Sequence, residues 1–133
     1  MRRVLRPALL LALVAAACNL QQGTPTPLPT PDAPAVEFLS PVNGSNVFEG
    51  TDLTVELVAR DAGAGVARVE LLVDDVSHQE GSPVDSDVVP VFTVTMNWLA
   101  AGVGRHSLSA IAYRADGTAS PATVISIQVV ARE

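Results

Sequence analysis

Between Ala35 and Ala131 the chain keeps returning to one pattern, a short run in which every second residue is apolar. In DLTVELVAR (52–60), Leu53, Val55, Leu57 and Ala59 fall on one side, with Thr54 and Glu56 opposite. VARVELLVD (66–74) sets Val69, Leu71 and Val73 against Arg68, Glu70 and Asp74, and VFTVTMNW (91–98) aligns Phe92, Val94, Met96 and Trp98. RHSLSAIAY (105–113) aligns Leu108, Ala110 and Ala112, TVISIQVVA (123–131) aligns Ile125, Ile127 and Val129, and AVEFLS (35–40) opens the set with Val36 and Phe38. Period two belongs to a strand with one buried face, and no stretch carries the 3.6-residue period of a helix. Turn chemistry separates the runs. Pro41-Val-Asn-Gly44 breaks the first, Asp61-Ala-Gly-Ala-Gly65 links two strands tightly, and Asp116-Gly117 is a hairpin signal. The expected fold is an all-β, antiparallel sandwich of about seven strands. A parallel sheet would need crossover helices, which argues against it; a barrel fits the same alternation.

The N-terminal third is written differently. Met1 to Arg6 holds three arginines, and Pro7 to Ala17 is apolar throughout. A positive start, a short apolar core and small residues before a cut are the layout of a secretory signal, too short to span a bilayer comfortably. Ala15-Ala16-Ala17-Cys18 resembles the lipobox of bacterial lipoproteins. The resemblance implies a cut before Cys18, a diacylglyceryl group on its sulfur, and a membrane anchor at the extracytoplasmic face. Asn19 to Pro34 then reads as a disordered linker, because the prolines of Thr24-Pro-Thr-Pro-Leu-Pro-Thr-Pro31 forbid helix and central strand. In polyproline-II geometry it would hold the next domain roughly 30–50 Å from its anchor. The expected organisation is a signal peptide at 1–17, a lipidated cysteine and tether at 18–34, and one domain at 35–133.

Composition excludes several chemistries. Cys18 is the only cysteine, so there is no intrachain disulfide and no cysteine-rich zinc site. Without residues 1–17 the chain keeps five arginines, no lysine and fourteen acidic residues, a net charge near −9. That argues against nucleic acid and against direct attraction to anionic lipid heads.

The stretch VEFLSPVNGSNVFEGTDLTVELVARDAGAGVARVELLVDD resembles the first half of bacterial immunoglobulin-like domains: a strand, Ser-Pro-x-x-Gly, a Gly-led second strand, and an Asp-Gly-Val turn before a Val-Glu strand. VPVFTVTMNWLAAGVGRHSLSAIAYRADGTAS resembles the second half, with its Trp-ended strand and Gly-x-His-x-Leu-x-Ala-x-Ala. The resemblance covers nearly all of 35–131 and implies a non-catalytic sandwich. It also implies that His106, at the family's histidine position, is structural. The chain departs from the pattern at Tyr113-Arg114, where the family usually carries an aspartate. A second departure is the polar segment 75–89, read as a connection and as the first place to seek binding through Asp75, His78, Asp85 and Asp87.

Few residues remain for site chemistry. A copper centre needs more than His78 and His106, with the one cysteine far away. A triad of Ser107, His106 and an aspartate has no nucleophile elbow, and adjacent strand residues face opposite ways. Aspartates 61, 74, 75, 85, 87 and 116 lie in or beside turns, the kind of oxygens calcium takes, with Asp85 and Asp87 the closest pair. Of five aromatics, Phe38, Phe92 and Trp98 are expected inward and Tyr113 outward and alone, a poor platform for a sugar. The expectation is therefore a lipid-anchored envelope protein displaying one immunoglobulin-like domain. It needs no cofactor beyond its lipid, and its partner is an envelope protein or polymer. The competing expectation is a calcium- or carbohydrate-binding accessory module serving a separate enzyme or transporter.

Overall fold

A computed structural model describes residues 32–133; Cys18 and the Thr-Pro run lie outside the described residues. These form eight strands and no helix: β1 (Ala35–Ser40), β2 (Ser45–Phe48), β3 (Asp52–Arg60), β4 (Arg68–Val73), β5 (Val76–Gly81), β6 (Val91–Leu99), β7 (Gly104–Tyr113) and β8 (Thr123–Val130). One sheet has three strands in the order β1-β3-β6, the other five in the order β2-β8-β7-β4-β5. All pairs are antiparallel except β2 with β8, which are parallel.

The alternating runs become the inner faces. Val36, Val55, Leu57, Ala59, Met96 and Trp98 from the narrow sheet meet Val69, Leu71, Leu108, Ala110, Ala112, Ile125, Ile127 and Val129 from the wide one, all buried. Phe38, Leu53, Val73, Phe92 and Val94 pack around this layer. Register keeps like with like: Val55 opposes Met96, Leu71 opposes Ala110 and Leu108 opposes Ile125, pairings that stabilise antiparallel sheet beyond the area they bury. Val58 and Ser109 are exceptions to alternation; Val58 is buried on the outer face between Glu37 and Thr93 and apart from the core.

Three features differ from the sequence reading. Segment 75–89 is not all connection, since Val76–Gly81 is a strand that pairs with β4. It is exposed on both faces apart from the half-buried Gly81, so no apolar alternation marks it. Ser45–Phe48 is a further strand, four residues long, which brings the total to eight. And Asp61–Gly65, read as a tight link between two strands, does not join neighbours in one sheet. It belongs to a crossing that carries the chain from β3 in the narrow sheet to β4 in the wide one. The described domain also takes in Pro34, which is fully buried.

Leu57 is wholly buried at the centre of the narrow sheet. Leu57→Ala should cost about 3 kcal/mol of unfolding free energy. Val124→Ala, on the exposed face of β8, should change it by less than about 0.5 kcal/mol. Urea denaturation of both variants checks the assignment of inner and outer faces.

Candidate functional site

Each end of the sandwich carries one polar cluster, buried at one pole and partly exposed at the other. At the N-terminal pole, residues 32–34 meet the β3–β4, β5–β6 and β7–β8 connections. The Asp61 side chain is fully buried there. Its Oδ2 accepts from Arg114 Nε at 2.5 Å, and its Oδ1 accepts from a second guanidinium nitrogen at 3.1 Å and from the Gly63 N–H at 3.1 Å. The same guanidinium donates to the backbone carbonyl of Asp32. Arg114 holds the Asp61 carboxyl below its ordinary range, outweighing the opposing effect of burial. The arginine that departs from the family pattern is thus the internal counter-ion of a buried acid and a brace on the start of the domain.

At the opposite pole, His106 leads the inward face of β7 and packs on Trp98, ring centroids 5.3 Å apart. Its Nδ1 lies 2.6 Å from Asp74 Oδ2 and its Nε2 lies 2.6 Å from the Gly102 carbonyl oxygen. Both partners are acceptors, so both nitrogens are satisfied only in the imidazolium, and hydrogen bonding to Asp74 raises the His106 pKa above its ordinary value. Asp74 and Asp75 form the β4–β5 hairpin turn, each with positive φ (49° and 66°), as a tight two-residue turn demands. Asp74 Oδ1 also accepts the Ser107 N–H at 2.9 Å. Burial pushes the Asp74 carboxyl up, but the bonds from Ser107 and His106 prevail and its pKa is lowered. With both ring nitrogens engaged, His106 makes no contact that would activate Ser107.

The four candidates of segment 75–89 do not converge. Asp75 sits in the hairpin turn at one end of β5, whereas Asp85 and Asp87 lie in the exposed loop beyond its other end. His78, on the strand between, donates Nε2–H to the Asn97 carbonyl of β6 at 2.9 Å, and the Gln79 amide oxygen accepts the Asn97 N–H at 3.3 Å. Asp85 and Asp87 line an open polar depression with Ser82, Pro83, Val84 and Ser86. Among the described residues no three His, Cys, Asp or Glu side chains come together as a metal site.

Tyr113 faces outward but is not alone. The Arg68 guanidinium lies 3.6 Å from its ring centroid, its hydroxyl donates to Glu70 at 2.9 Å, and Arg68 also pairs with Glu80 at 2.8 Å. One face of the ring is thereby occupied. The freely exposed aromatic is Phe48, 56% exposed at the end of β2 beside Val130. Its strand is too short for periodicity to orient it.

Two unequal sheets around one apolar layer, with the first strand and the second divided between them, define an immunoglobulin-like β-sandwich. Residues 34–110 match the bacterial Ig domain family, and the chain belongs to it. Among solved structures it is similar to the fibronectin(III)-like modules of CbhA from Clostridium thermocellum, at 27% identity and a TM-score of 0.60, covering 74% of this chain and 100% of that one. A CARDB domain from Pyrococcus furiosus, solved in complex with di-metal ions, is 16% identical with a TM-score of 0.54 over 77% of this chain and 99% of that one. The SrpA adhesin of Streptococcus sanguinis is 14% identical with a TM-score of 0.53 over 74% of this chain and 56% of that one. The last two share the fold alone. No curated protein matches.

Asp61→Ala should destabilise the domain by about 3 kcal/mol, because it strands a charged partner at a buried site. The folded pKa of Asp61 lies below its ordinary 3.8. The pair's contribution is therefore complete above that value and is lost as pH falls through the folded one. Acid titration of wild type and variant should bring the two stabilities together in that range. His106 has the opposite sign. Its folded pKa lies above the ordinary 6.5, so its stabilisation is full below pH 6.5 and disappears as pH rises through the folded value. Urea midpoints of wild type and His106→Leu at pH 6 and pH 9 should differ more at the lower pH; an equal gap would mean His106 is neutral in the fold.

Proposed function

We propose that this chain is a lipid-anchored envelope protein on the extracytoplasmic face of the cell membrane. Its single immunoglobulin-like domain, held out on a proline-threonine tether, makes non-catalytic contacts with another envelope protein or polymer. The observation that carries the reading is the order Ala15-Ala16-Ala17-Cys18 followed by the Thr-Pro run. A sole thiol closes an apolar leader and opens a segment dense in proline. Two acyl chains on that sulfur give stable anchoring where one would not.

The polar groups of the domain support a binding role over catalysis. Asp61, Arg114, Asp74 and His106 each neutralise or orient one another inside the fold. Among the described residues nucleophile, base and acceptor do not meet in a shared cleft, which is what a reaction requires. The family is generally one of binding and spacing modules, and the acid excess of the surface favours contacts with cationic groups over nucleic acid.

Intact-mass spectrometry of the membrane fraction tests the anchor. Wild type should have lost residues 1–17 and gained a diacylglyceryl group, and Cys18→Ser should show neither change. Chemical cross-linking on intact cells tests the role. Wild type should give adducts with envelope components that Cys18→Ser reduces several-fold; a lipidated chain that forms none would sink the interaction reading.

A further inference from the structure

The sandwich has four edge strands, and three of them are short or have an outer backbone group already bonded. The Val36 carbonyl of β1 takes a hydrogen bond from the Thr123 hydroxyl at 2.7 Å. The amide and carbonyl of Asn97 in β6 are held by Gln79 and His78, and Gly81 lies so close that a Cβ there would sit 2.6 Å from a Val94 methyl. β2 is only four residues long. The fourth is β5, six residues hydrogen-bonded to β4 on one side and to no strand on the other. Such a row of free backbone donors and acceptors is a template for an added strand.

The surroundings of β5 say what kind of strand it fits. From Asp74 to Asp87 the chain carries Asp74, Asp75, Glu80, Asp85 and Asp87 and no arginine. Asp74 is taken by His106, and Glu80 by Arg68. Asp75 at one end and Asp85 and Asp87 at the other are in no ion pair among the described residues. The edge is thus acidic at both ends and uncharged in between apart from the paired Glu80. A bulge limits the length that can pair. Leu71 opposes Gln79 and Leu72 opposes Ser77, so His78 is the extra residue.

We infer that β5 is a docking edge for a short extended segment of a partner protein that carries basic residues at its two ends. This rests on the reading of the domain as an interaction module. Backbone hydrogen bonds would hold the segment to β5, and its end charges would meet Asp75 on one side and Asp85 and Asp87 on the other. Recognition by main chain and end charge tolerates different side chains in the middle.

The test uses the full chain in detergent. The probe is a short blocked peptide of alternating Val and Thr with Lys at both ends. Amide hydrogen exchange read by mass spectrometry should slow across residues 76–81 when it is added. Asp75→Asn, Asp85→Asn and Asp87→Asn combined should weaken binding about tenfold, as the loss of three exposed charge pairs implies. Asn keeps the positive φ that position 75 needs. The same peptide with Glu at its ends, or N-methylated at every residue, should give no protection. Protection that appears on β1 or β2 instead, or survives N-methylation, overturns the inference, as does its absence with the Lys peptide. Envelope adducts that form in cells while the peptide leaves β5 unprotected would refute this edge and leave the interaction module standing.

Discussion

A sheet of three strands cannot cover a sheet of five, and most of what distinguishes this domain follows from that mismatch. Strands lie about 4.8 Å apart, so the wide sheet overhangs the narrow one by roughly two strand widths. The overhang falls on β2 and β5, the two outer strands of the five. β5 has no inner face to bury and is exposed along nearly all its length. Its far end bends toward the edge of β6, where glycine at 81 permits close approach to Val94 and where His78 and Gln79 both reach Asn97. The bulge at His78 makes this geometry available, because an extra residue lets two neighbouring side chains turn to the same side.

The same mismatch decides what could be read from the sequence. Strands with a partner sheet beneath them carry alternating apolar residues, and their extents follow from the pattern to within a residue or two: 52–60 and 91–99, for example. β4 is shorter than its run suggests, because Val66 leaves the sheet to bridge Val89 in the neighbouring connection. VSHQEG has no apolar face to alternate, so the pattern is silent there for a physical reason. β2 is silent because the inward side of its four residues holds only one apolar residue, Val47.

The polar clusters were less legible still. Asp61 and Arg114 stand 53 positions apart, and Asp74 and His106 32. No local spacing announces either pair. The fold brings them together because the β3–β4 and β7–β8 connections share one pole, while the β4–β5 turn and the start of β7 share the other. The single hint was that Arg114 stands where related domains usually carry an acid. A buried carboxylate needs a positive neighbour, and an arginine in that place supplies one from the chain itself. His106 as a structural residue was visible from the family pattern, whereas its dependence on carrying a proton required seeing two acceptors against one ring.

These pairs also bear on how an anchored domain would be presented. Arg114 grips the Asp32 carbonyl, and Pro34 is buried, so the chain is already fixed three residues before β1 begins. In the anchored reading the tether joins the domain at the pole that carries Asp85 and Asp87, opposite the His106 pole. Strands run from pole to pole, which puts β5 on the flank. A partner segment lying along that flank would approach from the side, as a neighbour in the same envelope layer does. Contacts with a surface farther out would instead fall to the opposite pole, where Phe48 stands exposed beside Val130. The flank offers unpaired backbone and acid, and the far pole offers an aromatic ring. A domain so built presents two chemically different surfaces in two different directions.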